Sequence, residues 1–495
     1  MVTPQLGQSS GQSTDNDHSH LVPSAKYMLG AEDTGNPGFK RHQGMTKMRP
    51  ATVAFMLVAF LALFWPALHN GFPILFHDSG AYLTRAFDSR LEPGRSPFYG
   101  FFIAASGGRI SLWPVILTQS AVTLWLLSLT LRQQGITDPR AAALAAILLA
   151  VASTAAWGVA TLMPDCFTPL AVLAWYLLVY ADAEMKQLEK VGVASVLLLA
   201  ELVHSTHLAL VTGLMLVPGA FLLRQRGRRR GLAVAGLVTA IAMLLLPLVN
   251  GLVSGHFGFT PGGQTFIFGR LLQSGMVRLY LDEHCPSSEI RLCAYRATLP
   301  TTGDEWIWDS DSPFVELGGW DGYAGEMRSI TLASLGEHPW LNLRQAAAAS
   351  LWQFVKLGTG EDMDSEYWHT DQVIADYLPD ALPALSNAVQ HHAALGQLAL
   401  RLNFIYLPVT FGAIAFGLAG LVAGCWRGSL PKLPLTVLLA LLGNAILCGV
   451  FSGPHDRYQG RIAWLAVLAA LVTLAEQRTE LCATARRLYS RSFKQ

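Results

Sequence analysis

Long apolar runs alternate with polar stretches along the chain, and the runs lack the amphipathic spacing of helices that cover a soluble core. The first, Ala51 to Leu68, carries no charge and comes close to the roughly 20 residues that a helix needs to cross a bilayer. Further spans are expected at Ser111 to Leu131, Ala141 to Trp157, Cys166 to Tyr180, Gly231 to Val249, Phe404 to Ala423, Leu433 to Val450 and Ile462 to Ala475. The run from Val191 to Leu223 is too long for one crossing, so two helices meeting at the HSTH turn, His204 to His207, are expected there. Trp340 to Lys356 also reads as a helix, but Arg344, Gln345 and Gln353 place it along the membrane interface. The pattern predicts an all-α polytopic membrane protein of about ten transmembrane helices.

Composition agrees: 52% of residues are hydrophobic and 14% charged, with a mean hydropathy of +0.36. The formal net charge of +1 says little. The distribution of charge says more, because cytoplasmic loops concentrate Lys and Arg. Lys40, Arg41, Lys47 and Arg49 precede the first span; Arg132, Arg140, Lys186, Lys190, the RQRGRRR cluster and the ARRLYSRSFK tail follow with consistent parity if both termini are cytoplasmic. This layout gives a disordered cytoplasmic tail (1–48), a transmembrane module (49–250), an extracytoplasmic domain between the seventh and eighth spans (251–400), C-terminal transmembrane helices (401–476) and a basic cytoplasmic tail (477–495). The expected location is a multi-pass inner (plasma) membrane with an extracytoplasmic active face. The first apolar run is long enough to span, so no cleavable signal is expected, and Met45 or Met48 are alternative starts.

Of the six cysteines, Cys285 and Cys293 share one polar stretch, CPSSEIRLC, expected outside the cytoplasm, where a disulfide between them would persist. Cys166, Cys425 and Cys448 lie in or beside apolar runs and Cys482 in the tail.

Chemistry is expected in the first external loop, 69–110, beginning HNGFPILFHDSGAYLTRAFDSRLEPGRSPFYG. Asp78 lies there beside the membrane, among His77, Ser79, Tyr82, Arg85, Asp88, Arg90, Arg95 and Tyr99, groups suited to a polar headgroup. An N-cap before AYLTRAF explains Asp78 equally well. Asp165, in MPDC, poses the same choice. Two carboxylates on one face can act as base and orienting group, or share a divalent metal such as Mg or Mn. His204 and His207 can bind phosphate, or be satisfied interfacial groups. Arg457 and Arg461, four apart, suit bidentate phosphate recognition, with snorkelling to the interface as the alternative. Arg95 and Arg270 are further phosphate candidates. The acidic external region carries Trp306, Trp308, Trp320, Trp340 and Trp368, which can stack sugars or simply pack.

FHDSGAYL after a first span, then RSPFYGFF, PDCFTPLAVLAWYLL and PHDRYQGR before a closing apolar helix together resemble the GT-C membrane glycosyltransferases. These include protein O-mannosyltransferases and the lipid A aminoarabinose transferases. The resemblance implies a GT-C-like fold and transfer of a sugar from a polyprenyl-phosphate donor to a glycan, lipid or protein acceptor. It makes Asp78 and Asp165 catalytic, with Asp78 the general base or acceptor-orienting group. Arg95, His204, His207, Arg270, Arg457 and Arg461 would then hold the donor phosphate, and Tyr82, Tyr99 and Tyr458 the sugar or acceptor. Ser79 stands where the O-mannosyltransferases have a second acidic residue, so metal use and the identity of the base stay open. The alternative reading is a transporter or lipid flippase, for which Glu201 is the main intramembrane charge. Neither reading involves nucleic acid.

Overall fold

The computed structural model describes residues 49–88, 92–363 and 367–492, with the side chains of Trp368 and residues 479–492 excluded. The expected disordered tail, Arg90, Asp364, Glu366, the Trp368 ring, Cys482 and the basic side chains of the C-terminal tail fall outside the described residues.

Among the described residues there is no strand, only an isolated parallel bridge between Ile74 and Thr161. The first apolar run forms α1 (Pro50–Ala62) and α2 (Trp65–Asn70). The expected unbroken span ends at Ala62, because Pro66 cannot donate to the Ala62 carbonyl and its ring crowds that position. The stretch expected as a polar loop holds α3 (Ser79–Phe87) and α4 (Pro97–Ala105). Next come α5 (Trp113–Gln133), α6 (Pro139–Ala152), α7 (Ala155–Ala160), α8 (Phe167–Ala181), α9 (Gln187–Val203), α10 (Ser205–Leu222) and α11 (Arg229–Ser254).

The sequence of α8, FTPLAVLAWYLLVYA, is apolar on every side, and the helix is accordingly almost wholly buried at the centre of the bundle. It packs against α5, α9, α10 and α11. Gly231 lets α11 approach closely, since an added Cβ there would lie 2.1 Å from the Leu178 carbonyl oxygen. α9 and α10 meet at His204, within the expected turn.

A second core builds the next region from α12 (Gly263–Gln273), α13 (Met276–His284), α14 (Gly303–Trp308), α15 (Pro313–Glu316), α16 (Gly319–Gly322) and α17 (Ala324–Glu337). Phe268, Trp306, Phe314, Tyr323 and Met327 fill it, with the Trp306 ring 5.0 Å from Phe268. Cys285 and Cys293 are joined as a disulfide at its edge. α18 (Pro339–Val355) lies against the later α22 (Lys432–Phe451), where Gly449 brings the Ala349 carbonyl within 2.7 Å of the position of an added Cβ. The opposite side of α18 exposes Trp340, Leu343, Leu351 and Trp352. α19 (Trp368–Tyr377) and α20 (Leu382–Ser386) follow, and α21 (Ala394–Arg427) starts six residues before the expected boundary at 400. The last helix, α23 (Asp456–Ser492), continues through most of the stretch expected as a separate tail.

Among the described residues, seven helical stretches are long and apolar enough to cross a membrane: those in α5, α8, α10, α11, α21, α22 and the first part of α23. This is the construction of a polytopic membrane protein. The other three expected spans fall on α1, α6 and α9, which have 13, 14 and 17 residues.

Candidate functional site

The segment from Pro73 to Phe76, between α2 and the turn at His77 and Asp78, is pinned on both sides. Ile74 N–H donates to the Ala160 carbonyl (3.1 Å) and Leu162 N–H to the Ile74 carbonyl (2.8 Å). On the other side the Gln390 side chain accepts from Leu75 N–H at 3.0 Å and donates to the Leu75 carbonyl at 2.7 Å. Thr370 Oγ1 accepts from Gly80 N–H and donates to the His77 carbonyl. A Cβ on Gly80 would sit 2.9 Å from the Thr370 Cα, so α3 and α19 are in close contact there. Asp78 therefore projects from a braced backbone.

Although Asp78 precedes α3, its carboxylate makes no capping hydrogen bond. It pairs instead with Arg95 through Oδ1 and with Arg457 Nη1 through Oδ2, the latter at 3.5 Å. Burial would raise its pKa, but Arg95 and Arg457 outweigh that and hold the carboxyl below the ordinary carboxylate value. Asp165 likewise makes no cap: it lies in the 3-10 turn Pro164–Cys166 and accepts from Arg461 Nη1 at 2.8 Å. Arg461 also donates to Asn444 Oδ1 at 3.2 Å. Arg457 and Arg461 project from successive turns of α23, and both guanidinium groups lie against the Tyr458 ring, at 5.0 and 5.6 Å.

The Asp165–Arg461 pair and Arg457 border a cleft that is open to solvent. Asp165, Arg457, Arg461 and Glu361 supply its polar lining, and Phe76, Trp157 and Met163 its apolar lining. Asp78 does not line the cleft but pairs with Arg457, which does, and is 19% exposed. A tight Gly358-Thr359-Gly360 turn forms another wall, because the Gly358 carbonyl lies 2.2 Å from where a Cβ on Gly460 would be. Gly460→Ala is expected to push this turn away from α23 and to lower the melting temperature, which thermal unfolding of the two proteins in the same detergent checks.

Glu361 anchors the turn through Arg457 N–H (3.2 Å) and His455 Nδ1 (3.3 Å), while His455 Nε2 lies 3.4 Å from Asp304. Burial would lower the His455 pKa, but Glu361 and Asp304 outweigh it and raise the value above the ordinary 6.5. Burial would raise Glu361, yet His455, Arg457 N–H and Lys356 hold it down. The raised His455 contributes stability fully below its unfolded value, and that contribution is lost as pH rises through the folded value. The lowered Glu361 contributes above its unfolded value and loses that contribution as pH falls through the folded one. The turn is thus expected to be best held in mildly acidic solution. Hydrogen exchange at residues 358–363 should accelerate on going from pH 6 to pH 9 beyond the intrinsic change, and His455→Gln should remove the pH-dependent part.

The other sequence candidates divide. Tyr458 lies at the site, its hydroxyl 3.0 Å from Ser452 Oγ. Tyr82 is buried beside it in α3 with its ring 5.1 Å from Tyr99. Tyr99 itself is a core group, donating to Gln119 Oε1 at 2.7 Å. His207 is fully buried between Thr168 Oγ1 (2.6 Å) and the Ala200 carbonyl (2.9 Å), so its ring nitrogens are occupied. His204 caps α10 by accepting from Thr206 N–H, and burial together with Arg461 pushes its pKa down, leaving a neutral ring. Arg270 is not at the cleft. Its guanidinium donates to the Gly449 and Gln345 carbonyls and ties α12 to α22 and α18, so no phosphate role follows.

Sequence reasoning missed Glu361, His455 and the glycine turn as site elements. The Gly-Thr-Gly-Glu run at 358–361 was a usable signal, but it lies about 100 residues from the α23 groups it meets. Comparison with protein-family models, with curated proteins and with solved structures gave no match to this chain.

Proposed function

We propose that the protein is a membrane glycosyltransferase that takes a sugar from a polyprenyl-phosphate donor, with the cleft at the head of α23 as its active site on the extracytoplasmic side. The observation that carries this reading is the pairing of two carboxylates from separate loops with three arginines: Asp165, Arg461 and Arg457 line one largely apolar cleft, and Asp78 with Arg95 joins them through Arg457. Arginine suits a phosphate, and Phe76 and Trp157 suit a lipid or sugar face. Two buried donors, Arg95 Nε and Arg461 Nε, have no hydrogen-bond partner among the described residues, and an anionic group can fill them.

In this reading the acceptor hydroxyl or amine attacks the anomeric carbon, and the bond from that carbon to the phosphate oxygen breaks. The phosphate leaves with the bonding pair, and Arg457 and Arg461 stabilise the charge that develops on it. Asp78, ionised at neutral pH, accepts the acceptor's hydrogen bond through Oδ2, whose contact with Arg457 is long. Its lowered basicity favours orientation of the nucleophile, with proton transfer late along the reaction. The donor set does not suit a shared Mg or Mn, because a dication between Asp78 and Asp165 would be placed beside three arginines.

One feature favours the transporter reading. Glu201 in α9 is fully buried, its Oε1 accepting from Thr239 and its Oε2 without a hydrogen-bond partner among the described residues. Transfer of label from radiolabelled polyprenyl-phosphate sugars, in membranes with and without the protein, distinguishes the two. Protein-dependent transfer supports the enzyme. No transfer with any donor, alongside protein-dependent export of a labelled lipid, would replace it with the transporter.

A further inference from the structure

Two helices of the second core end on the same dipeptide: α13 on Glu283-His284, and α17 on Glu337, with His338 as the next residue. Packing of α13 on α17 brings the two Glu-His pairs together. His338 Nε2 lies 3.0 Å from Glu283 Oε2, and His284 Nε2 lies 3.5 Å from Glu337 Oε1. The ligand atoms of Glu283, Glu337 and His338 all fall within 4.8 Å of one another.

We propose that Glu283, Glu337 and His338, whose ligand atoms already converge, hold a zinc-type divalent cation, with His284 completing a four-coordinate shell by a small movement from its place beside Glu337, so that the ion clamps α13 to the junction of α17 and α18. Bond lengths of about 2.0–2.2 Å in a tetrahedral zinc site place neighbouring ligand atoms roughly 3.3 Å apart, close to both cross-pair distances. The His284 ring is already oriented. Its Nδ1–H donates to the Tyr280 carbonyl at 2.9 Å, and the ring stacks on Tyr280 at 4.1 Å, which leaves Nε2 to face the cluster. Ligating histidines commonly hold their second nitrogen in this way. The His338 backbone is fixed as well, because Asn342 Nδ2 donates to its carbonyl at 3.0 Å and to that of Ser334 at 2.8 Å.

Charge points the same way. Among the described residues neither Glu283 nor Glu337 has an arginine or lysine partner, although the two carboxylates are neighbours. Both helices also direct their negative C-terminal ends at the cluster, which favours a cation there. The side chains are 23–44% exposed, so an ion can reach them from solvent. This site stands apart from the cleft and does not depend on the proposed glycosyl transfer.

The test is titration of the purified full-length protein, in detergent and stripped with chelator, with cobalt(II) followed by displacement with zinc. One cobalt per chain with the intense visible bands of tetrahedral coordination is expected, together with a zinc-dependent rise in melting temperature. His338→Asn and Glu337→Gln should each weaken binding about tenfold or more, and His392→Asn should not. X-ray absorption of the native zinc-loaded protein provides a readout that needs no variant, with two imidazoles and two oxygens expected. Absence of tetrahedral bands and of a thermal shift would overturn the proposal. Equal binding by the native protein and the Glu283→Gln, Glu337→Gln double variant would do the same, as would a zinc shell without imidazole.

Discussion

In the proposed reaction, Asp78→Asn at matched expression is expected to transfer labelled sugar about a hundredfold or more below the native protein, within the range that a positioned acid–base group contributes. The substitution keeps the shape of the side chain and removes the charge that Arg95 and Arg457 hold in place. Donor binding should persist, because the arginines remain and are released from a carboxylate competitor. A large loss of turnover with donor affinity unchanged or tighter therefore identifies Asp78 with the acceptor half of the reaction. Equal transfer by both proteins would remove it from the mechanism.

The second large effect concerns stability. Arg461 and Asp165 are 3% and 8% exposed and joined at 2.8 Å. Arg461→Met leaves Asp165 as a buried charge without its main partner, a loss expected to cost about 3–5 kcal/mol. Adding Asp165→Asn removes the stranded charge, so the double variant should regain much of the loss while remaining inactive. Thermal unfolding of the single and double variants in the same detergent measures this coupling, and additive effects would show that the pair is not a unit. Arg461→Lys should restore only part of the stability, since an ammonium cannot serve Asp165, Asn444 and Thr206 as the planar guanidinium does.

The apolar runs were legible in the sequence because a bilayer imposes a simple length and composition rule, and the helices α5, α8, α10, α11, α21, α22 and α23 follow it. The break at His204 was also legible, since no single span accommodates 33 residues from 191 to 223. The interruption after Ala62 was missed, although Pro66 marked it, because apolar composition does not register a lost backbone hydrogen bond.

Asp78, Asp165, Arg95, Arg457 and Arg461 could be selected from the sequence as charged groups beside apolar runs, where desolvation makes an unused charge costly. Their partners could not. Whether Asp78 caps α3 or faces two arginines depends on α23 arriving beside it from 379 residues away. The same holds for Arg270, whose sequence resembles that of any interfacial arginine, and whose phosphate role disappears only when Gly449 and Gln345 present their carbonyls to it. His207 gives the same result in the core. The sequence by itself determined where chain crosses from apolar to polar surroundings, a local property set by composition. Only the tertiary structure decided which charges meet, because an ion pair is a relation between segments whose separation along the chain carries no information about their distance in space.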